Sequence, residues 1–229
     1  MNTDQPSLAK LKRTITLRSI LITPFLMAVF FWPAGTFDYW EAWVYLAMLL
    51  SFLFGTISYL LVYSPDLLTR RLRKRETEVP QILIARLLII DVVVVFLLPG
   101  FDRRLGWSDA PAPVVLLADL VVLLGYGLVI LVFRVNRYTS RTVVVDEGQA
   151  VVSAGPYAVI RHPMYVGLGL LGIASPLALG SYWAILPALL LIPLLVARIL
   201  NEEETLKRDL KGYTEYMGKT KYRLIPGIW

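Results

Sequence analysis

The sequence predicts an all-α integral membrane protein of about six transmembrane spans, four followed by a C-terminal helical hairpin, and three observations carry that reading. Of 229 residues, 57% are apolar and 17% charged, with a mean hydropathy of +0.63; that balance belongs to a chain dissolved in lipid rather than to a soluble domain with a large core. Positive charge is one-sided. Of the 23 Lys and Arg, 20 fall in the N-terminal segment, the Arg70 to Arg75 loop, the 134–163 connection and the tail from Arg198. Only Arg103 and Arg104 lie opposite, and Arg86 sits inside a helix. The positive-inside rule then puts both ends, and the 134–163 connection, in the cytoplasm. Last, the apolar stretches Met164 to Leu179 and Tyr182 to Leu200 are joined by Gly180-Ser181, so the chain goes out and comes straight back.

The elements follow in order. Met1 to Leu17 is polar and basic, and no small-residue cleavage site follows Pro33, so an uncleaved first helix is expected from about Leu17 to Trp32. Pro33 to Asp38 reads as a turn. Tyr39, Trp40 and Trp43 then open a second helix at a membrane interface, where aromatic rings are favoured, and it runs to Tyr63 before Ser64-Pro65. A third helix spans Gln81 to Leu98, with Arg86 and Asp91 inside it. Charges there are functional candidates, although snorkelling by Arg86 and helix–helix contact by Asp91 account for them more simply. A loop from Gly100 to Pro113 precedes a fourth helix, Val114 to Phe133, in which Gly125 and Gly127 admit close packing. No repeat or low-complexity tract interrupts the chain, so 1–229 reads as one domain: four spans in 1–133, then a C-terminal region, 134–229.

Several chemistries are excluded. There is no cysteine, and His162 is the only histidine. Disulfides, thiolate catalysis, a Ser-His-Asp arrangement and Cys- or His-based metal sites are therefore set aside, and no metal is expected. The net charge of +6 flanks apolar spans, so anionic lipid headgroups explain it and nucleic acid does not.

What remains is concentrated in the 134–229 region. Thr142 to Val145 and Ala150 to Val152 are short β-prone runs, suited to a hairpin or an extended wrap on the membrane face. Gly155-Pro156 is a turn, His162 before Pro163 is expected to be extended, and Pro163 suits the first position of a helix. At about 1.5 Å per residue the two arms of the hairpin run roughly 24 and 28 Å. That returns Arg198, Glu202 and Glu203 to the face where His162 lies. Each feature alone also fits a plain turn, headgroup contacts for Arg161 and His162, or a solvated helix face for the i, i+4 pair Arg198 and Glu202. Their joint occurrence at one face points to a site, with the open N–H groups of the fifth helix available to a carboxylate or phosphate.

The combination of GPY at Gly155 to Tyr157, RHPMYVG at Arg161 to Gly167, R-x-x-x-E-E-x-x-L at Arg198 to Leu206 and RLIPG at Arg223 to Gly227 resembles the isoprenylcysteine carboxyl methyltransferase and phospholipid methyltransferase superfamily. The resemblance covers roughly the last hundred residues. It implies S-adenosylmethionine as cofactor, held in a cytoplasmic pocket beside a route for a lipid or prenylated substrate from the bilayer. Cofactor contacts are implied at Gln149, Ala150, Val151, Val152, Tyr157, Arg161, His162, Pro163, Met164, Tyr165, Glu202 and Glu203, with Arg198 and Glu202 at the chemistry and Arg198 facing the substrate. Gln149 stands where prenylcysteine enzymes commonly have His. The implied activity is methyl transfer to an isoprenylcysteine-like carboxylate. The alternatives are a phospholipid ethanolamine N-methyltransferase and, because sterol reductases carry a similar RHP region, an NADPH-dependent membrane reductase.

Overall fold

The computed structural model describes residues 8–65, 67–69, 79–139, 145 and 148–229, and among these the regular structure is helical, with no strand. The helices are α1 (Leu8–Ala34), α2 (Trp40–Tyr63), α3 (Val79–Leu105), α4 (Ala112–Val135), α5 (Pro163–Ala178), the short α6 (Ile185–Ala188), α7 (Leu191–Asp209) and α8 (Tyr213–Lys219), with a 3-10 turn at Gly155–Ala158. The basic run Arg70 to Arg75 and the β-prone residues Thr142 to Val144 lie outside the described residues. Ala150 to Val152 belong to neither a helix nor a strand.

Four helices are long and apolar enough to cross a bilayer: Trp40–Tyr63, Pro80–Leu105, Ala112–Val135 and Ile185–Asp209. The other two expected spans are shorter apolar helices, Ile20–Ala34 and Pro163–Ala178. Large apolar side chains such as Leu83, Ile89, Ile90, Leu117 and Leu124 stand exposed along α3 and α4. In water they would form a patch far beyond what a soluble monomer tolerates; in hydrocarbon they are where they belong.

Helix boundaries depart from the sequence reading in two places. Pro99-Gly100 was expected to end α3, yet the helix continues through both to Leu105. The reason is packing. A Cβ on Gly100 would sit 2.8 Å from Pro33 Cβ and 3.0 Å from Phe30 O, so the glycine lets α1 and α3 touch backbone to backbone. The returning arm of the hairpin, expected from Tyr182, starts at Ile185, and between α6 and α7 it stays in right-handed helical conformation at Leu189 and Leu190 but tightens. There Leu190 N donates to Pro187 O (2.8 Å) and Ile192 N to Leu189 O (3.2 Å). These tighter i→i−3 bonds are those expected where Pro193 cannot donate to the turn before it.

The tightest helix pair is α4 against α5. A Cβ on Gly125 would lie 2.9 Å from Gly167 O, and one on Gly167 would lie 2.8 Å from Val129 Cγ2 and 3.0 Å from Gly125 O. Gly127, by contrast, faces open space, so only one of the two glycines singled out from sequence admits a neighbour. Gly167→Val is therefore expected to lower stability by about 2 kcal/mol or more through overpacking, while Gly127→Ala is neutral or slightly stabilising. Thermal unfolding of both variants in detergent checks this, and equal midpoints would refute it.

At the end of the bundle formed by the α1–α2 and α3–α4 connections, polar groups bind the hairpin in place. Asp102, 1% exposed, accepts from Ser108 N and Ser108 Oγ, both at 2.7 Å, and from Ser181 Oγ. Tyr39 OH donates to Leu179 O at 2.6 Å. Tyr45 OH lies 2.6 Å from Ser175 Oγ, which donates to Leu171 O. Around them Phe30, Phe31, Leu46, Val122, Tyr126 and Ala174 make the main apolar core.

Candidate active site

The opposite end is organised by how the chain enters α5. Gly155 has φ +57, a left-handed conformation that favours glycine, and a Cβ there would lie 3.2 Å from Val135 Cγ2. The 3-10 turn that follows ends with Ile160 N donating to Pro156 O (3.1 Å). The chain then runs beside the 222–223 stretch: Ile160 bridges Tyr222 in parallel, Arg161 N donates to Tyr222 O (2.9 Å) and His162 N to Arg223 O (3.0 Å). Pro163 takes the first helical position, as the sequence suggested, while His162, expected to be extended, is the N-cap with φ −125 and ψ 59, outside the extended region. Tyr165 N and Val166 N fold back onto His162 O.

The α7 helix brings Arg198, Glu202 and Glu203 against this turn. Two adjacent glutamates reach opposite fates. Glu203 points inward, 1% exposed, and accepts from Arg161 Nε at 2.7 Å and Arg223 Nε at 3.0 Å, with His162 Nε2 3.2 Å away. Arg161 NH1 also donates to Thr220 O (2.9 Å) and Lys221 O (2.7 Å). This buried cluster ties α5, α7 and the 220–223 stretch together. Glu202, one residue earlier and only half-buried, accepts from Tyr165 OH at 2.5 Å. Tyr165 OH in turn accepts from Arg198 Nε (3.1 Å), and Arg198 NH1 donates to Gln81 Oε1 on α3 (3.0 Å). Gln81 is fully buried, and its Nε2 donates to Asn201 Oδ1 at 2.7 Å.

Above Glu202 opens a pocket with a solvent-facing mouth. Gln149, Ala150, Val151, Val152, Tyr157, Arg161, His162, Met164, Tyr165, Arg198 and Glu202 line it. Of the residues singled out from sequence, Pro163 and Glu203 do not. Pro163 is buried in the helix start, and Glu203 lies beneath the floor, where it orients His162 and Arg161. Arg161 contributes wall but little free charge, because its guanidinium is already shared between Glu203 and two carbonyls.

Sequence reading missed a second wall: Asn136, Tyr138 and Thr139 after α4, and Leu206, Leu210, Tyr213 and Tyr216. Leu206 and Leu210 continue the i, i+4 row that begins at Arg198 and Glu202, so the helical period was the signal that located them. Asn136 Nδ2 donates to Tyr157 OH (2.9 Å), and Tyr216 OH donates to Tyr157 O (2.7 Å). Burial pushes the Tyr157 phenol above its ordinary pKa, and the Glu202 carboxylate adds to the rise, against the hydrogen bond from Asn136, which lowers it. Tyr157 is thus a neutral hydroxyl at physiological pH.

Two features of the pocket ask for a polar ligand. Tyr213 OH is buried at its wall and makes no hydrogen bond among the described residues. Glu202, which accepts from Tyr165 OH, lines the pocket with a carboxylate. A buried hydroxyl without a partner is uncommon, and a bound polar group resolves it.

Residues 114–211 match the model of the phospholipid methyltransferase family, a match that runs from α4 past the end of α7 and takes in most of the pocket. It supports a membrane methyltransferase. No curated protein matches the chain.

Proposed function

We propose that the chain, whose residues 114–211 match the phospholipid methyltransferase family model, transfers a methyl group from S-adenosylmethionine to the carboxylate of an isoprenylcysteine-like lipid. The observation that carries this reading is the row Glu202–Tyr165–Arg198–Gln81, which puts a carboxylate and a guanidinium on one edge of a pocket at the end of an apolar bundle. The residues present fit the cofactor. Glu202 suits ribose hydroxyls or an ammonium. The N-terminus of α5, where Met164 N–H has no helical partner, suits a carboxylate. Ala150 to Val152 line the pocket outside any helix, so their main chain can offer donors and acceptors to a base edge. Tyr213 OH supplies a further hydroxyl contact, and the faces of Tyr157 and Tyr165 suit a cation.

When bound, S-adenosylmethionine would supply an electrophilic methyl group. The protein's part is alignment and exclusion of water. Arg198, held by Tyr165 and Gln81, would set its positive charge beside an acceptor carboxylate and orient it. A carboxylate is already ionised at neutral pH, so no general base is required. That agrees with a site whose one histidine lies against Glu203. An acceptor amine would need a proton removed and would sit beside a cation. The family's name nonetheless favours testing a phospholipid, whose phosphate would also suit Arg198.

Purified protein titrated with S-adenosylmethionine, S-adenosylhomocysteine and NADPH tests the cofactor. Micromolar binding of the first two, and none of the third, is expected, whereas preferential NADPH binding would mean a reductase. Incubation with labelled S-adenosylmethionine and either a farnesylcysteine derivative or phosphatidylethanolamine then separates the acceptors. A base-labile methyl ester supports the proposal, and a base-stable N-methyl product overturns it.

We place the site on the cytoplasmic side because of the charge asymmetry. Because the chain lacks cysteine, single cysteines at the exposed positions Asp109 and Ser153 report topology in intact cells. Asp109→Cys is expected to react with an impermeant maleimide and Ser153→Cys only after lysis. The reverse pattern would invert the assignment.

A further inference from the structure

The 222–229 segment is a compact turn that the pocket does not explain. Arg223 N, Leu224 N and Ile225 N all donate to Trp229 O, at 2.8, 3.0 and 3.2 Å, and Ile228 N and Trp229 N donate back to Ile225 O, both at 3.1 Å. Gly227 supplies the left-handed residue (φ +83), and the Arg223 guanidinium covers the Trp229 ring at 5.0 Å. A turn closed this tightly keeps its shape without a surrounding core. Yet Ile225 is 51% and Ile228 78% exposed, and Val159 and Tyr222 beside the bridge to Ile160 are 56% and 38% exposed. The polar-to-apolar ratio is inverted for a turn that faces water.

Position decides what covers this patch. Through Arg161 N and His162 N the segment is hydrogen-bonded to the two residues before Pro163, the first residue of an apolar helix. That helix shows Leu168, Leu170 and Ile173 to the outside. The turn therefore sits beside the start of that apolar helix, at the end of the bundle. Lys219 and Lys221, both exposed, precede it in the pattern of basic residues that flank interfacial segments. We infer that the 222–229 turn is an interfacial membrane anchor, with Ile225 and Ile228 in the acyl boundary and Lys219 and Lys221 at the headgroups. Through Arg223 the anchor also holds Glu203 and, with it, the His162 turn.

The test uses the full chain, which has no native cysteine, in vesicles of phosphatidylcholine and phosphatidylglycerol. A nitroxide is placed at Ile228→Cys and its collisions with oxygen and with a water-soluble nickel chelate are measured. Leu168→Cys serves as the lipid-facing reference and Ser153→Cys as the aqueous one. Ile228 is expected to favour oxygen over nickel as Leu168 does. A ratio matching Ser153 overturns the anchor and leaves the patch to a protein partner. Should the label at 228 prevent folding, judged by gel filtration and helical content, Ile225→Cys gives the same reading with the same two outcomes.

Discussion

Glu203→Ala is expected to cost about 3 to 5 kcal/mol of stability, whereas Glu202→Ala, one residue away, leaves the unfolding midpoint nearly unchanged. Glu203 is 1% exposed and is the shared acceptor for Arg161 and Arg223, with His162 against the same oxygen as Arg161. Removing it leaves the Arg161 guanidinium, with a side chain only 4% exposed, buried without its counter-charge, the costly way to break such a cluster. The bonds that hold 220–223 against the start of α5 would loosen with it. Glu202 is only half-buried, so its loss strands no buried charge; what it is expected to lose is ligand affinity, by about 1 to 3 kcal/mol. Thermal unfolding and S-adenosylmethionine titration of both variants give a crossed pattern if this division is right. A Glu203→Ala protein that melts with the parent would show that the cluster does not hold the fold.

The second large effect belongs to Arg198. Arg198→Lys keeps the charge and removes the fork, so turnover is expected to fall on the order of a hundredfold with cofactor affinity preserved. Gln81→Leu removes the acceptor of Arg198 NH1 without touching the pocket lining and is expected to lower turnover in the same direction, by less. Should lysine support turnover at the parental rate, or Arg198→Ala abolish cofactor binding, Arg198 would be a support for Glu202 rather than the residue facing the acceptor.

Much of this arrangement was legible in the sequence because it depends on local chemistry. Pro163 after His162 marks a helix start wherever it occurs, and the apolar lengths on either side of Gly180-Ser181 bring Glu202 back to His162. The division of labour between Glu202 and Glu203 was not legible, since both residues follow Arg198 on one helix and only the packing of α5 and Arg223 decides which turns inward. Gln81 gave no signal either; its role exists only because α3 lies beside α7. Pro99-Gly100 read as a helix end because the same residues that terminate helices also permit close helix contact, and a single sequence does not separate the two uses.

The Asp102 clasp constrains the order in which the protein can be assembled. Asp102 and Ser108 are made some seventy residues before Ser181, and the carboxylate becomes fully satisfied only when the hairpin reaches it. Until then a nascent chain carries an incompletely partnered acid at the end of α3, and the four-helix portion is an intermediate rather than a finished platform. Closure over so long a stretch is entropically unfavourable by an amount that grows only slowly with its length, and Tyr39 and Tyr45 offer further attachment points nearby. The arrival of the hairpin thus closes one end of the bundle, and the same returning helix carries Arg198 and Glu202 to the pocket at the other.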